Sequence, residues 1–397
     1  MDRAALRGER VGLLVSGGLS SVAVAAWLAD CDVDLLCYVA DIGQPGELTA
    51  TAVAESLTLH GLRACVVDLR KEMARTCVGL VRYRASYEGG YWNTTGASRE
   101  VLVAGLAGRL AADGCTVMAH GCVGGGNDQT RFARYAAEFA PDLRIFAPWT
   151  AGWMLERFPD RTAMAGYLAS LGFPAEIAGL DGYSVDGNLG GCSHESRDLE
   201  SLLSPATEYL RPLMTTWPQH AAAEPEAFTV EFAAGKPVAV NGHAVGEVEA
   251  ISQANAAGGR AGMAPRTVIE NRTNGTKCRG VYEAPGLDVL GSCLELIYQA
   301  SLEPAAATLM ADLSALLGGA VYAARTHDQA ARAARAAADV LASAASGVVE
   351  ADLYRGNVLP RAITGLSATA GVRRQTRFGT GGHQWHTESL DGAGSLL

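Results

Sequence analysis

The chain has 397 residues, 49% hydrophobic and 19% charged, enough to bury the cores of two or three domains, which excludes a globally disordered chain. Its formal net charge of −10 disfavours nucleic acid as the principal partner, although local basic residues can still hold small anions. Nine cysteines without a C-x-x-C pair, and no leader pattern before the first strand, predict reduced thiols in a cytoplasmic protein, with no apolar run expected to reach membrane-spanning length.

The first apolar run, 11–15, reads as a strand that enters Ser16-Gly17-Gly18 and then a helical pattern carrying Val22, Ala25, Ala26 and Trp27. Further strands are predicted at 35–40, 64–69, 116–120 and 144–148, with helices near 19–29, 47–60, 71–84, 98–112 and 128–139. This alternation predicts an α/β fold, a doubly wound parallel sheet over 1–172. Ligands of such sheets sit beyond the carboxyl ends of the strands, so the loops after Val15, Ala40 and His120 are expected to meet.

Beyond 172 the texture changes to an α+β second domain, 173–365. "AFTVEFAAGKPVAV" reads as a hairpin around Gly235-Lys236, and "KCRGVYEAPG" as a strand and turn. Residues 302–346 are alanine-rich and helical, and "VVEADLYRGNVLPRAIT" resembles two short strands. The polar, glycine-rich tail, 366–397, is expected to be loose unless docked on a partner subunit.

Four constellations can carry chemistry. In "SGGLSS" the hydroxyls of Ser16, Ser20 and Ser21 surround two glycines, which suits a pyrophosphate; a serine cap on an ordinary turn is the alternative. "AHGCVGGGNDQTRF" is a second glycine-rich loop at a strand end, where Asn127, Asp128 and Arg131 can share one helix face. There Arg131 can grip a carboxylate or ureido oxygen and Asp128 an ammonium group. "YEGGYWNTTGASRE" offers Tyr91, Thr95 and Arg99, or simply a capped amphipathic loop. Ser184, Ser193, Glu270 and Tyr282 could recognise the ends of an amino acid, although each taken alone is better explained as a cap, a surface charge or a satisfied core tyrosine. The eight histidines show no metal-ligand spacing, and Cys122 has no evident base, so no resident metal and no protein nucleophile are expected.

Taken in order, these pieces resemble the argininosuccinate synthase family. "SGGLSS" stands at its Ser-Gly-Gly-Leu-Asp-Thr-Ser loop, "YVADIGQPGE" at its adenosine-side segment, and "HGCVGGGNDQTRF" at its second glycine loop; "IFAPW", "SVDGNL" and "IENRTNGTKCRGVYEAPG" follow at comparable spacing. The resemblance implies a PP-loop ATP-binding domain, a synthetase domain and a C-terminal oligomerisation arm in a homotetramer. It implies that the ureido oxygen of citrulline attacks the α-phosphate of ATP bound with Mg2+, and that the amine of aspartate then displaces AMP. Carried over, Ser16, Gly17, Gly18, Ser21, Ala40 and Gly121 serve ATP, with Ser20 in the same loop. Tyr91, Asn127, Arg131, Ser184, Ser193, Glu270 and Tyr282 hold citrulline. Asn127 and Asp128 lie on the aspartate side, and Thr95 and Arg99 keep their family identities.

Departures cluster at the same sites. Ser20 replaces the loop's acid, Val22 a hydroxyl expected to face phosphate, Gly96 a citrulline-contacting serine, Val123 a threonine that contacts aspartate, and Gly125 a lysine; Gly187 and His194 also differ. The leading expectation is an AMP-forming carbon–nitrogen ligase acting on citrulline or a close analogue. The alternatives are a specialised-metabolism ligase using another amine or ureido substrate, and a degenerate ligand-binding paralogue. Val123 cannot offer a hydroxyl to a carboxylate, so weak use of aspartate is expected, at a cost of about 1–3 kcal/mol.

Overall fold

The computed structural model describes residues 4–46, 48–123, 126–174, 184–195, 197–366, 373–378 and 385–389. Its first unit is a five-stranded parallel sheet in the order β3-β2-β1-β4-β5, built from β1 (Arg10–Leu14), β2 (Asp34–Asp41), β3 (Ala64–Asp68), β4 (Val117–His120) and β5 (Arg144–Phe146). The crossovers are α1 (Leu19–Ala29), α2 (Ala50–Leu59), α3 (Arg70–Arg82), α4 (Thr94–Ala112) and α5 (Asp128–Phe139). Alternate residues of β1 feed opposite faces: Val11, Leu13 and Val15 join one core with Trp27 and Phe146, while Leu14 joins the other with Leu106 and Met118. The strand order reverses between β1 and β4, and the loops that follow these two strands flank that crevice.

The second unit contains two antiparallel sheets. The four-stranded sheet runs β11-β12-β7-β6, from β6 (Ser184–Asn188), β7 (Gly191–Glu195), β11 (Arg266–Asn271) and β12 (Lys277–Glu283). The five-stranded sheet pairs β8 (Glu226–Ala233), β9 (Lys236–Val240), β10 (His243–Ala244), β13 (Gly347–Tyr354) and β14 (Asn357–Thr364).

Several elements differ from the sequence reading. Helix α4 starts before 98 because Asn93, in a left-handed conformation with φ 50°, caps it through its side chain onto the Gly96 N–H. "YEAPG" is not a turn: Pro285 occupies the first turn of the helix Pro285–Ser301, where its missing N–H costs nothing. Residues Arg373–Phe378 and Trp385–Ser389 in the tail form an antiparallel strand pair. The expectation about apolar runs also fails as stated. The helix Pro304–Tyr322 is long and apolar enough to cross a membrane by length and composition, but here it packs against α4 and the helix Gln329–Ala342.

Cys192, His194 and Glu283 sit buried together on β7 and β12, with possible ligand atoms within 4.8 Å of one another. The Glu283 carboxylate is already supplied with donors: His194 at 2.6 Å and the backbone N–H groups of Leu213, Met214 and Thr215 at 2.8–2.9 Å. The cluster is therefore a loop anchor. Glu283→Ala leaves those donors buried without a partner, and a loss of about 3–5 kcal/mol is expected in denaturant titration; a loss below about 1 kcal/mol would contradict the anchoring role.

Candidate active site

At the end of β1 the chain turns through Gly17, whose φ of 85° favours glycine and where a Cβ would lie 2.5 Å from Val53 of α2. Gly18 heads α1, and its carbonyl accepts the Ser21 hydroxyl at 2.9 Å. The Ser16 and Ser21 hydroxyls lie 3.2 Å apart, and Ser16 Oγ also accepts the Gly18 N–H at 3.4 Å. No side chain caps α1 and its first turn holds no acid, which leaves a helix N-terminus suited to an anion. Ser20 is partly exposed in that turn. Val22 does not face the loop as the sequence reading expected: it is fully buried in the core beneath.

The expected meeting of the three loops is observed. A Cβ on Gly121, just after β4, would collide with the backbone and side chain of Ser21, so glycine lets the second loop touch the first. Ala40 is buried at the end of β2, its carbonyl accepting Gln44 at 2.8 Å, and the Leu48 side chain past that loop would lie 3.3 Å from a Cβ on Gly17. The same loop reaches the second unit, where the Leu189 N–H donates to the Ile42 carbonyl at 2.8 Å.

Next to the glycine loops lies a buried charge network. Asp128, first residue of α5, accepts Arg99 of α4 at 2.7 Å and Arg131 at 2.9 Å, and Arg99 also pairs with Asp186 of β6. Burial raises the Asp128 pKa, but the two guanidinium groups outweigh it and hold the carboxyl well below the usual range. Asp128 is thus an anion with each oxygen already paired, and its remaining lone pairs can still receive an ammonium or amine N–H. His120 is buried, and burial lowers it to about 4, so it stays neutral; its Nδ1 accepts the Cys122 N–H at 3.3 Å. Burial pushes the Cys122 thiol well up, which removes it as a nucleophile.

The second sheet supplies the opposing wall. In its register Asp186 faces Ser193, and Ser193 faces Tyr282. By the period of two, Asp186, Ser193, Glu195 and Tyr282 share one face, away from Cys192, His194 and Glu283. Thr95 donates to Ser193 Oγ at 3.1 Å, tying this face to α4. Tyr91 stacks on Tyr282 at 3.7 Å, and the Tyr282 hydroxyl donates to the buried Glu270 carboxylate. Glu195 ends β7 exposed to solvent, near the Asp128, Glu270 and Asp186 carboxylates, with Arg272 on the opposing side of the charge balance. So many carboxylates in one pocket favour a ligand that brings a cation.

Ser184 begins β6 opposite Glu195, with its side chain outside the described residues, as is Gly125. Val123 is 57% exposed in the loop before α5. At Gly96 a Cβ would strike the Asn93 carboxamide, so the cap of α4 occupies the space a side chain there would need. The sequence reading missed Asp186, Tyr87, Thr273 and Tyr322. Asn127 Oδ1 accepts Thr273, and its Nδ2 donates to Tyr322 at 2.9 Å; Tyr322 stacks on Tyr87. Period-two alternation with Ser184 could have flagged Asp186, but Tyr322 closes a helix far along the chain and carries no local signal.

Tyr282 reaches Glu270 because Gly280, its neighbour on the same face, has no side chain: a Cβ there would overlap the Tyr282 ring and hydroxyl. Gly280→Ala should therefore cost about 1–3 kcal/mol, and nearly nothing in a Tyr282→Ala background. Equal costs in the two backgrounds, measured by urea titration, would refute this contact.

Comparison with known proteins agrees with this geometry. The family profile "Arginosuccinate synthase N-terminal HUP domain" matches residues 10–173, and "Arginosuccinate synthase C-terminal domain" matches 183–369. The chain is similar to a protein named argininosuccinate synthase from Idiomarina loihiensis, 34% identical over 355 residues that cover 88% of this chain and 86% of the relative. A solved chain described as a predicted subunit of tRNA methyltransferase from Methanocaldococcus jannaschii covers 43% of this chain and 92% of its own at 12% identity, with a TM-score of 0.26, too slight a likeness to bear on the fold. Two glycine-rich loops meeting at the switch point, an opposing wall of hydroxyls and carboxylates, and matches spanning both units lead to one conclusion: the chain belongs to the argininosuccinate synthase family.

Proposed function

We propose that the chain joins citrulline to aspartate at the expense of ATP, forming argininosuccinate, AMP and pyrophosphate. The observation that carries this reading is the contact of Gly121 with Ser21, which puts both glycine loops around one anion site next to the Asp128 network. Ser16, Gly17, Gly18, Ser20, Ser21, Ala40 and Gly121 line the nucleotide. Magnesium would come bound to the triphosphate and neutralise its charge, and the Ser16 and Ser20 hydroxyls are the neutral oxygens that would help hold it. Glu270 takes the citrulline ammonium, with Tyr91, Ser184, Ser193 and Tyr282 around it, and Arg131 and Asn127 donate to its oxygens.

The ureido oxygen attacks the α-phosphorus as the bond to pyrophosphate breaks. The aspartate amine, held near Asp128, then attacks the activated carbon; AMP leaves and the amine loses its proton. Catalysis rests on positioning and charge stabilisation, with no protein nucleophile in either step. Thr95, Arg99 and Val123 lie on the aspartate side. The reading with a different amine rests on Val123 alone. A cytoplasmic homotetramer completes the proposal: all nine cysteines are free, and Leu309 and Leu316 are exposed on the helix Pro304–Tyr322, where partner copies can cover them.

Pyrophosphate release should require ATP, citrulline and Mg2+, and sustained turnover aspartate as well; release independent of citrulline would overturn the proposal. Gly18→Asp sets a carboxylate against the phosphates and should abolish ATP binding, which calorimetry reads directly. Glu270→Ala should raise the citrulline requirement by roughly ten- to a thousand-fold, or about 1–4 kcal/mol, with ATP binding unchanged. An unaltered citrulline titration would remove Glu270 from the acceptor pocket.

A further inference from the structure

Asn127 sits where the helix α5 meets the second unit, and its carboxamide is held from two sides. Its Oδ1 accepts the Thr273 backbone N–H at 3.0 Å and the Thr273 hydroxyl at 2.8 Å. A backbone N–H can only donate, so oxygen must face Thr273 and nitrogen must face Tyr322. Nδ2 then donates to the Tyr322 hydroxyl at 2.9 Å. Both oxygen lone pairs are used, and one N–H hydrogen remains. Asn127 is therefore left as a pure donor toward the pocket, suited to an anionic or carbonyl oxygen and unsuited to an ammonium group.

Tyr322 is itself fixed more firmly than a core tyrosine requires. Its ring stacks on Tyr87 at 3.7 Å with an interplanar angle of 11°, and the Arg131 guanidinium lies 5.0 Å from its centroid. The Tyr322 carbonyl accepts Arg131 Nε at 3.0 Å. One turn earlier on the same helix face, Gly318 has no room for a side chain, since a Cβ would overlap the Ser86 backbone. That close approach brings the helix end down onto Tyr87.

We infer that Tyr322 is a positioning residue of the ligase site, its hydroxyl and ring setting the Asn127 amide and the Arg131 guanidinium so that both present donors to the oxygens of the bound ureido amino acid. The inference rests on the ligase reading. Tyr322→Phe keeps the ring and removes the hydroxyl, so the Asn127 amide keeps its two Thr273 bonds but loses the partner that fixes its nitrogen. With pyrophosphate release as the readout, its KM for citrulline should rise about tenfold, while the KM for ATP stays within about twofold and the thermal midpoint does not move. Because the effect runs through Asn127, Tyr322→Phe should add nothing in an Asn127→Ala background. Citrulline titration by calorimetry supplies the same cycle if that background turns over too slowly. Gly318→Ala, which lifts the helix from Ser86, should shift the citrulline KM in the same direction with the hydroxyl intact. A parent-like citrulline KM in Tyr322→Phe, or full additivity with Asn127→Ala, overturns the positioning role while leaving the ligase reading standing. A parent chain that releases no pyrophosphate with ATP and citrulline overturns the ligase reading and this assignment with it.

Discussion

The site depends on one shared carboxylate. Asp128 is held between Arg99 of α4 and Arg131 of α5, and Arg99 extends the network to Asp186 in the second unit. Leaving the buried Arg99 or Arg131 guanidinium without its partner would cost several kcal/mol, which holds α4, α5 and β6 together. A network of this kind contributes little net stability compared with a hydrophobic replacement. Its value lies in the geometry it imposes. With α4, α5 and β6 locked, the second glycine loop is anchored at both ends, by β4 before it and by Asp128 after it.

Close approach of backbones is the second constraint, and it acts within each unit. Gly121 rests on Ser21, and at Gly191 a Cβ would overlap the Glu283 carbonyl, so the turn of the second sheet packs without side chains between layers. The two units are tied at the site by the Thr95–Ser193 hydrogen bond and the Arg99–Asp186 ion pair. The wall carries hydroxyls and carboxylates on one face and a saturated structural carboxylate, Glu283, on the other. Successive residues of β12 thus serve different ends: Tyr282 donates to Glu270 on one face, while Glu283 on the other holds the chain of 213–215.

The departures from the family pattern acquire physical meanings in this setting. Gly96 follows from the Asn93 cap, which fills the space. Val22 belongs to the core under α1, and His194 pairs with Glu283 away from the pocket. Ser20 and Val123 are different, for both stand partly or largely open at the loops themselves.

The sequence by itself determined the parallel sheet, because strand and helix periods alternate cleanly there and glycine marks the turns at strand ends. It also marked the two glycine loops that meet and the grouping of Asn127, Asp128 and Arg131, which i, i+3 and i, i+4 spacing places on one side of a helix start. The helix at Pro285 and the early start of α4 escaped it, since proline in a first turn and a left-handed asparagine cap read locally as breaks. Only the tertiary structure decided which side chains meet. Glu270 and Tyr282 find each other because Gly280 clears a path across the sheet, and Tyr322 arrives on a helix whose apolar sequence speaks only of packing. Such contacts join residues far apart along the chain, and no local period encodes them. They follow from register and from the absence of a side chain at a few glycines, which the folded backbone alone makes visible.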